Sequence, residues 1–197
     1  MNKDLHFSSP IYTEHNPQWL DKLNIICDGY LKSTSFGNSF CSPSLIDDEN
    51  FTEFHRYVAE KSKWVLDDMG YDLSNYGLVY NESWVQEFSY EGGGNHLYHT
   101  HSNSHISAFY FLHCSENTSK PAFQDPRTSH LSYKLPLKNK NSTDIGQTII
   151  HYPTSPGTLL LFPSYLSHGY TIDWSKEKFR FIHLNLQAIE NRFLYAN

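Results

Sequence analysis

The segment GGGNHLYHTHSNSHISAFYFLH, residues 92–113, sets two histidines one residue apart, ahead of an unbroken aromatic and branched run. Gly92-Gly93-Gly94 signals a turn. Ile106 to Leu112 has the composition of a buried strand. Residues i and i+2 of a strand share a face, so His99 and His101 project into one space. Two neutral imidazoles side by side make a metal site in want of a third ligand. They do not name the metal, because zinc, iron, nickel and copper all accept imidazole. The plainer reading is a pair of strand-end residues without a ligand. The glycine run weighs against it, since such segments border binding sites.

Outward from this segment, short apolar runs recur at Trp84–Phe88, Thr148–Tyr152, Gly157–Phe162 and Phe179–Gln187. Asp125-Pro126, Pro153 and Pro156-Gly157 punctuate them, which predicts a β-sandwich or jelly roll. Upstream, Phe7–Tyr12 reads as an edge strand restricted by Pro10. Asn16-Pro17 opens a helix carrying Trp19, Leu20, Leu23, Ile26, Cys27 and Tyr30 at helical spacing. Residues 32–43 read as a loop. A second helix starts near Asp47-Asp48, with a stripe of Phe51, Phe54, Val58, Val65 and Met69, and stops at Gly70. The expectation is one mainly-β domain over residues 1–197. Residues 1–77 would supply a strand and two helices packed on one sheet, and 78–190 the jelly-roll core.

The 197 residues carry a net charge of -6, which argues against a nucleic-acid surface. No apolar run reaches membrane-spanning length; Leu159–Phe162 is strand-sized. Met1–His6 has no signal-peptide stretch, so the expected compartment is cytoplasmic. Cys27, Cys41 and Cys114 form no disulfide framework. The 14 Tyr and 13 Phe suit β-structure with large packed faces.

His168 follows the strand-like Gly157–Ser164 and precedes a polar tip at Trp174-Ser175-Lys176. A hairpin centred there would place Arg180 opposite His168, with Cβ atoms about 4.5–5.5 Å apart. The arginine's planar fork could then hold one end of a dicarboxylate whose other end meets a metal at His168. The plainer alternative is an ion pair of Arg180 with Glu177 or Asp173.

Taken together, Trp84, His99-Thr100-His101, Ser107-Ala108-Phe109-Tyr110-Phe111, Gly157 to Ser164, His168 and Arg180 resemble the iron(II)/2-oxoglutarate-dependent oxygenases. The chain is most similar to a small bacterial and phage branch, which Phe7–Tyr12 and Phe123-Gln124-Asp125-Pro126-Arg127 also resemble. The resemblance covers nearly the whole chain and implies a double-stranded β-helix, a cupin-like jelly roll. It implies Fe(II) on His99, His101 and His168, with 2-oxoglutarate chelating the metal. The co-substrate's 5-carboxylate would sit on Arg180, with a phenolic hydrogen bond from Tyr110. The reaction implied uses O2 to hydroxylate an aliphatic C–H, of a prolyl or other peptide side chain or of a small molecule. Succinate and CO2 are released.

Two positions depart from the pattern. His101 stands where the superfamily usually has Asp or Glu, and Ile182 where many members have Ser. A three-histidine face is that of thiol dioxygenases, so a cupin-type enzyme without 2-oxoglutarate is one alternative. A non-enzymatic metal-binding β-module is another. Trp84 and Gln86 are candidate cavity residues, although core packing weighs more for Trp84. Asp125 is an alternative carboxylate ligand or a turn residue, and Arg127 a contact for an acidic substrate or a loop cap. Asn185 matches a late asparagine of the branch and shares with His183 the strand face opposite Arg180. No role follows for Asn185 from the sequence; His105 has the parity of His101, with Ser102-Asn103-Ser104 able to bend the chain between them, and His96 and His113 lie outside the motif.

Overall fold

The structure is a computed structural model that describes residues 1–2, 4–31, 37–127, 129, 135–140 and 145–194. Its strands are β1 Tyr12–His15, β2 Ser39–Cys41, β3 Tyr76–Phe88, β4 Gly94–His99 and β5 Ile106–His113. They continue as β6 Pro121–Gln124, β7 Ile149–His151, β8 Thr158–Pro163, β9 His168–Asp173 and β10 Phe179–Glu190. The helices are α1 Leu20–Leu31, α2 Thr52–Asp68 and the short α3 Asn191–Leu194.

Both long helices start where side chains satisfy free backbone amides. Asn16 Oδ1 accepts from the Gln18 N–H at 3.3 Å, and Pro17 begins a 3-10 turn that runs into α1. Asp48 Oδ1 accepts from the Asn50 N–H at 2.9 Å and opens a similar turn into α2. Gly70, with φ of +92°, ends that segment in the left-handed conformation. Two expectations shift. The first strand begins only at Tyr12, because Phe7 has φ of +58° and Pro10 has no N–H to give a ladder. The short strand β2 occupies part of the segment expected to be loop.

All strand pairings are antiparallel. One sheet has the order β1-β8-β5-β10-β3-β2 and the other β4-β9-β6-β7. From β3 onward the chain passes back and forth between the two sheets, except at β6 and β7, which pair with each other in the smaller one; this is the double-stranded β-helix. Period-two alternation gives the larger sheet two different faces. On β10, Ile182, Leu184 and Leu186 join Ala108, Tyr110 and Leu112 of β5 in a core with Leu23, Cys27, Phe54, Val58 and Val65 of α1 and α2. Phe179 and Phe181 join Phe88, Phe109, Phe111, Phe123, Phe162 and Tyr170 in a second core between the sheets.

This topology overturns the expected pairing of His168 with Arg180. β9 pairs with β4 and β6 in the smaller sheet, whereas β10 pairs with β3 and β5 in the larger one. The Trp174 segment therefore crosses between sheets instead of closing a hairpin.

Candidate metal centre

His99 ends β4 and His168 begins β9, and the two are direct cross-strand partners. His99 Nδ1 lies 2.7 Å from the Leu97 carbonyl, and His168 Nδ1 lies 2.8 Å from that of Leu166. A carbonyl only accepts, so Nδ1 carries the proton in both rings and the Nε2 lone pair is left free. His168 Nε2 is buried and has no hydrogen-bond partner among the described residues.

His101 lies past the end of β4, in the turn before β5. Its N–H donates to the Ser164 carbonyl at 3.1 Å, and its carbonyl accepts from the Ser104 N–H at 3.2 Å. These bonds bring His101 Nε2 to 3.1 Å from His99 Nε2. The two rings converge through a turn, where strand parity was the expected cause. Behind His101, Nδ1 lies 3.2 Å from Glu82 Oε2 and 3.1 Å from Asn185 Nδ2. Asn185 Nδ2 also donates to Glu82, and its Oδ1 accepts from Ser107 Oγ at 2.6 Å. A carboxylate behind a histidine fixes the ring and raises its basicity toward a metal. Glu82 escaped the sequence reading, although it shares an inward parity with Trp84 and Gln86.

A fourth histidine completes the cluster. Ligand atoms of His99, His101, His168 and His183 all lie within 4.8 Å of one another. Burial lowers the pKa of each of the last three: His168 to about 3, His101 below the usual value, and His183 well below it. Neighbouring imidazoles add to each of these shifts. Those three rings are thereby neutral at pH 7, the form that binds metal. His96 packs on His99 with ring centroids 4.5 Å apart and is lowered to about 4, again mainly by burial.

Gly169 sets the approach of β9 to β4. A Cβ there would stand 2.6 Å from the His96 carbonyl oxygen and 3.1 Å from that of Leu97, the acceptor of the His99 bond. We expect Gly169→Ala to keep the fold and to weaken metal binding by roughly 10-fold or more, as loss of an outer-shell partner does. A calorimetric titration with nickel checks this. Affinity equal to that of the parent protein would show that the β4–β9 spacing does not position His99.

The structure does not bring Arg180 or Tyr110 to the cluster. Arg180 is the one Lys or Arg in the ten strands, and alternation turns it to the helix-facing side. There it pairs with Glu87 and with Asp28 Oδ1 at 2.8 Å, and bonds Asn24 Oδ1 at 3.2 Å. Tyr110 points the same way. Its hydroxyl donates to the Asn16 carbonyl at 2.7 Å, and its ring packs on Phe54. Asp125 is likewise not in the histidine cluster. It pairs with Arg127 at 2.5 Å beside a separate cavity that also includes Phe7 and Gln147. Trp84 stacks on His183 with centroids 4.0 Å apart. Gln86 and Tyr170 are buried, with Gln86 Oε1 and the Tyr170 hydroxyl unpartnered. A cavity of about 490 Å3 opens beside His101, lined by Thr100, Ser102, Ser104, His105, Tyr71, Tyr76 and Tyr165 among others.

A family model described as "Putative 2OG-Fe(II) oxygenase" matches residues 82–181. The chain belongs to the 2OG-Fe(II) oxygenase family. The matched region of this oxygenase runs from the carboxylate behind His101 to the residue after Arg180, and so stops short of His183. Its fold is similar to AviO1 from Streptomyces viridochromogenes Tue57, at 11% identity over 91% of this chain and 90% of that one, with a TM-score of 0.63. It is similar also to HygX from Streptomyces hygroscopicus with nickel, 2-oxoglutarate and hygromycin B bound, at 12% identity over 91% and 83% with a TM-score of 0.56. A third is the viral collagen prolyl hydroxylase of Paramecium Bursaria Chlorella virus-1 in its 2OG complex, at 11% identity over 91% and 96% with a TM-score of 0.57. No curated protein matches the chain.

A 2OG-Fe(II) oxygenase is an enzyme that uses iron(II), 2-oxoglutarate and dioxygen. The residues fit the metal, since His168 Nε2 is a buried lone pair with nothing else to bind. For the dicarboxylate, the barrel strands offer no inward cation. Among the described residues, the Tyr170 hydroxyl and Gln86 Oε1 are buried polar atoms without a partner, as are ring nitrogens of His96, His168 and His183. No described helix is long and apolar enough to cross a membrane.

Proposed function

We propose that His99, His101 and His168 hold iron(II), and that the enzyme hydroxylates an aliphatic C–H of a small molecule or a peptide side chain. The reaction consumes the substrate, 2-oxoglutarate and O2 and yields the hydroxylated product, succinate and CO2. One observation carries the reading: three imidazoles converge at the barrel mouth, two of them with Nε2 freed by an Nδ1–H bond to a carbonyl. When bound, the metal and co-substrate supply the oxidising power. The protein's own part is to orient the imidazoles, to back His101 with Glu82, and to exclude water with the phenylalanine-lined interior. Tyr170, two residues beyond His168 on the same strand face, and Gln86 hydrogen-bond the distal carboxylate in place of an arginine.

The tyrosine-, serine- and threonine-lined cavity beside His101 suits a substrate with both polar and apolar surface. HygX, with hygromycin B bound, and the viral collagen prolyl hydroxylase are similar folds, which supports a small molecule or a peptide side chain as the substrate here.

The test is incubation with iron(II), ascorbate and 2-oxoglutarate under air, reading succinate by mass spectrometry. We expect slow succinate formation without substrate, and a product 16 mass units heavier, one oxygen atom, when lysate is supplied. Oxygen consumption on a small thiol without succinate would instead favour the three-histidine dioxygenase reading.

Glu82→Gln gives a second check. We expect it to weaken metal binding about 10–100-fold while leaving the melting temperature of the metal-free protein near that of the parent. Unchanged affinity in a nickel titration would remove Glu82 from the support of His101.

A further inference from the structure

We propose that His183 is a fourth metal ligand, so that the resting centre is a four-histidine site; this rests on the three-histidine reading above. His183 is fully buried, yet neither ring nitrogen has a hydrogen-bond partner among the described residues. A buried polar atom left unpaired is costly and uncommon in folded proteins. The ring is enclosed by Trp84 at 4.0 Å and Phe109 at 5.1 Å between centroids, neither of which accepts a hydrogen bond in the ring plane. Its other ring neighbours are imidazoles: His101 at 5.1 Å, His168 at 6.3 Å and His96 at 6.5 Å. A cation shared with His99, His101 and His168 would satisfy a lone pair that no other described residue meets.

The position on β10 explains how the residue arrives. Alternation that turns Ile182 and Leu184 to the helices turns His183 and Asn185 inward, beside Phe181. Asn185 is used in holding Glu82 and His101, whereas His183 has no such task. A fourth imidazole also leaves fewer open positions than a chelating co-substrate and dioxygen together require. Bound 2-oxoglutarate and dioxygen together would therefore require His183 to withdraw, so that this residue would hold the metal while co-substrate is absent.

Cobalt(II) is the probe, because its visible spectrum reports both coordination number and affinity. Parent protein, His183→Leu, His183→Gln and His168→Leu are titrated without oxygen. Both His183 variants are expected to bind cobalt at least ~100-fold more weakly, at the upper limit of an outer-shell effect, and with a changed spectrum. Metal-free His183→Leu should melt no lower than the parent, since leucine brings no unpaired nitrogen into the pocket.

Loss of cobalt binding in His168→Leu but parent-like affinity and spectrum in both His183 variants would overturn this inference alone. Failure of the parent to bind cobalt would overturn the three-histidine reading as well.

Discussion

Replacing His168 with Leu or Ala is expected to abolish metal binding and succinate formation together. His168 is the most enclosed of the three histidines proposed as ligands, packed against Phe162 at 4.8 Å and Phe109 at 5.6 Å, with Nε2 aimed at the cluster. Leu keeps most of the volume and loses only the hydrogen bond to Leu166, at about 1 kcal/mol. Ala adds a cavity among phenylalanines and costs more. The metal effect is separate from both. With free metal at a thousand times Kd, binding adds about 4.1 kcal/mol to stability. For a domain of this size that raises the melting temperature by roughly 8–16 °C. The parent protein should show this rise with nickel and the two variants none. A metal-dependent rise of similar size in His168→Leu would place the metal elsewhere.

His99, His101 and His168 were legible as neighbours because their chemistry clusters in the sequence and because a strand-like run precedes His168. The reason for their meeting was only half legible. His101 reaches His99 through a turn held by Ser164 and Ser104, and such turn bonds leave no periodic signal. The sheet partner of β9 was not legible. A connector through Trp174 serves a hairpin or a crossing between sheets equally well, and only the complete strand order selects the crossing. β6 was missed for a local reason: it has four residues and opens on Pro121, which reads as punctuation.

The face of Arg180 could have been read. Phe179, Phe181, His183 and Asn185 share one parity, and Arg180 shares the other with Ile182, Leu184 and Leu186. Once His183 and Asn185 are inward, Arg180 must be outward. The expected alignment with His168 rested on a hairpin that does not exist. Ile182 fits this account as well, since a residue two beyond Arg180 also faces the helices, where leucine and valine surround it. A serine suited to a carboxylate would be buried there without purpose.

Arg180→Met is therefore expected to act on stability, with co-substrate affinity retained. The side chains of Arg180 and Glu87 are 1% and 4% exposed, and their ion pair is joined by Asp28 and Asn24 of α1. Arg180 thus ties α1 to adjacent positions of β3 and β10. Removing one partner leaves the Glu87 carboxylate buried without its cation, which costs about 3–5 kcal/mol. That is a large share of the 5–15 kcal/mol by which domains are typically stable. Replacing both partners by apolar groups of similar volume is often neutral, so Arg180→Met combined with Glu87→Leu should recover most of the loss. Urea unfolding of parent, single and double variants measures this cycle, and the midpoint should fall in the single variant and return in the double. Binding of 2-oxoglutarate to the nickel-loaded protein, measured well below the unfolding midpoint, should differ little among the three. A single variant with the parent's midpoint and sharply weakened 2-oxoglutarate binding would instead put the guanidinium inside the barrel and reverse the face assigned to every residue of β10.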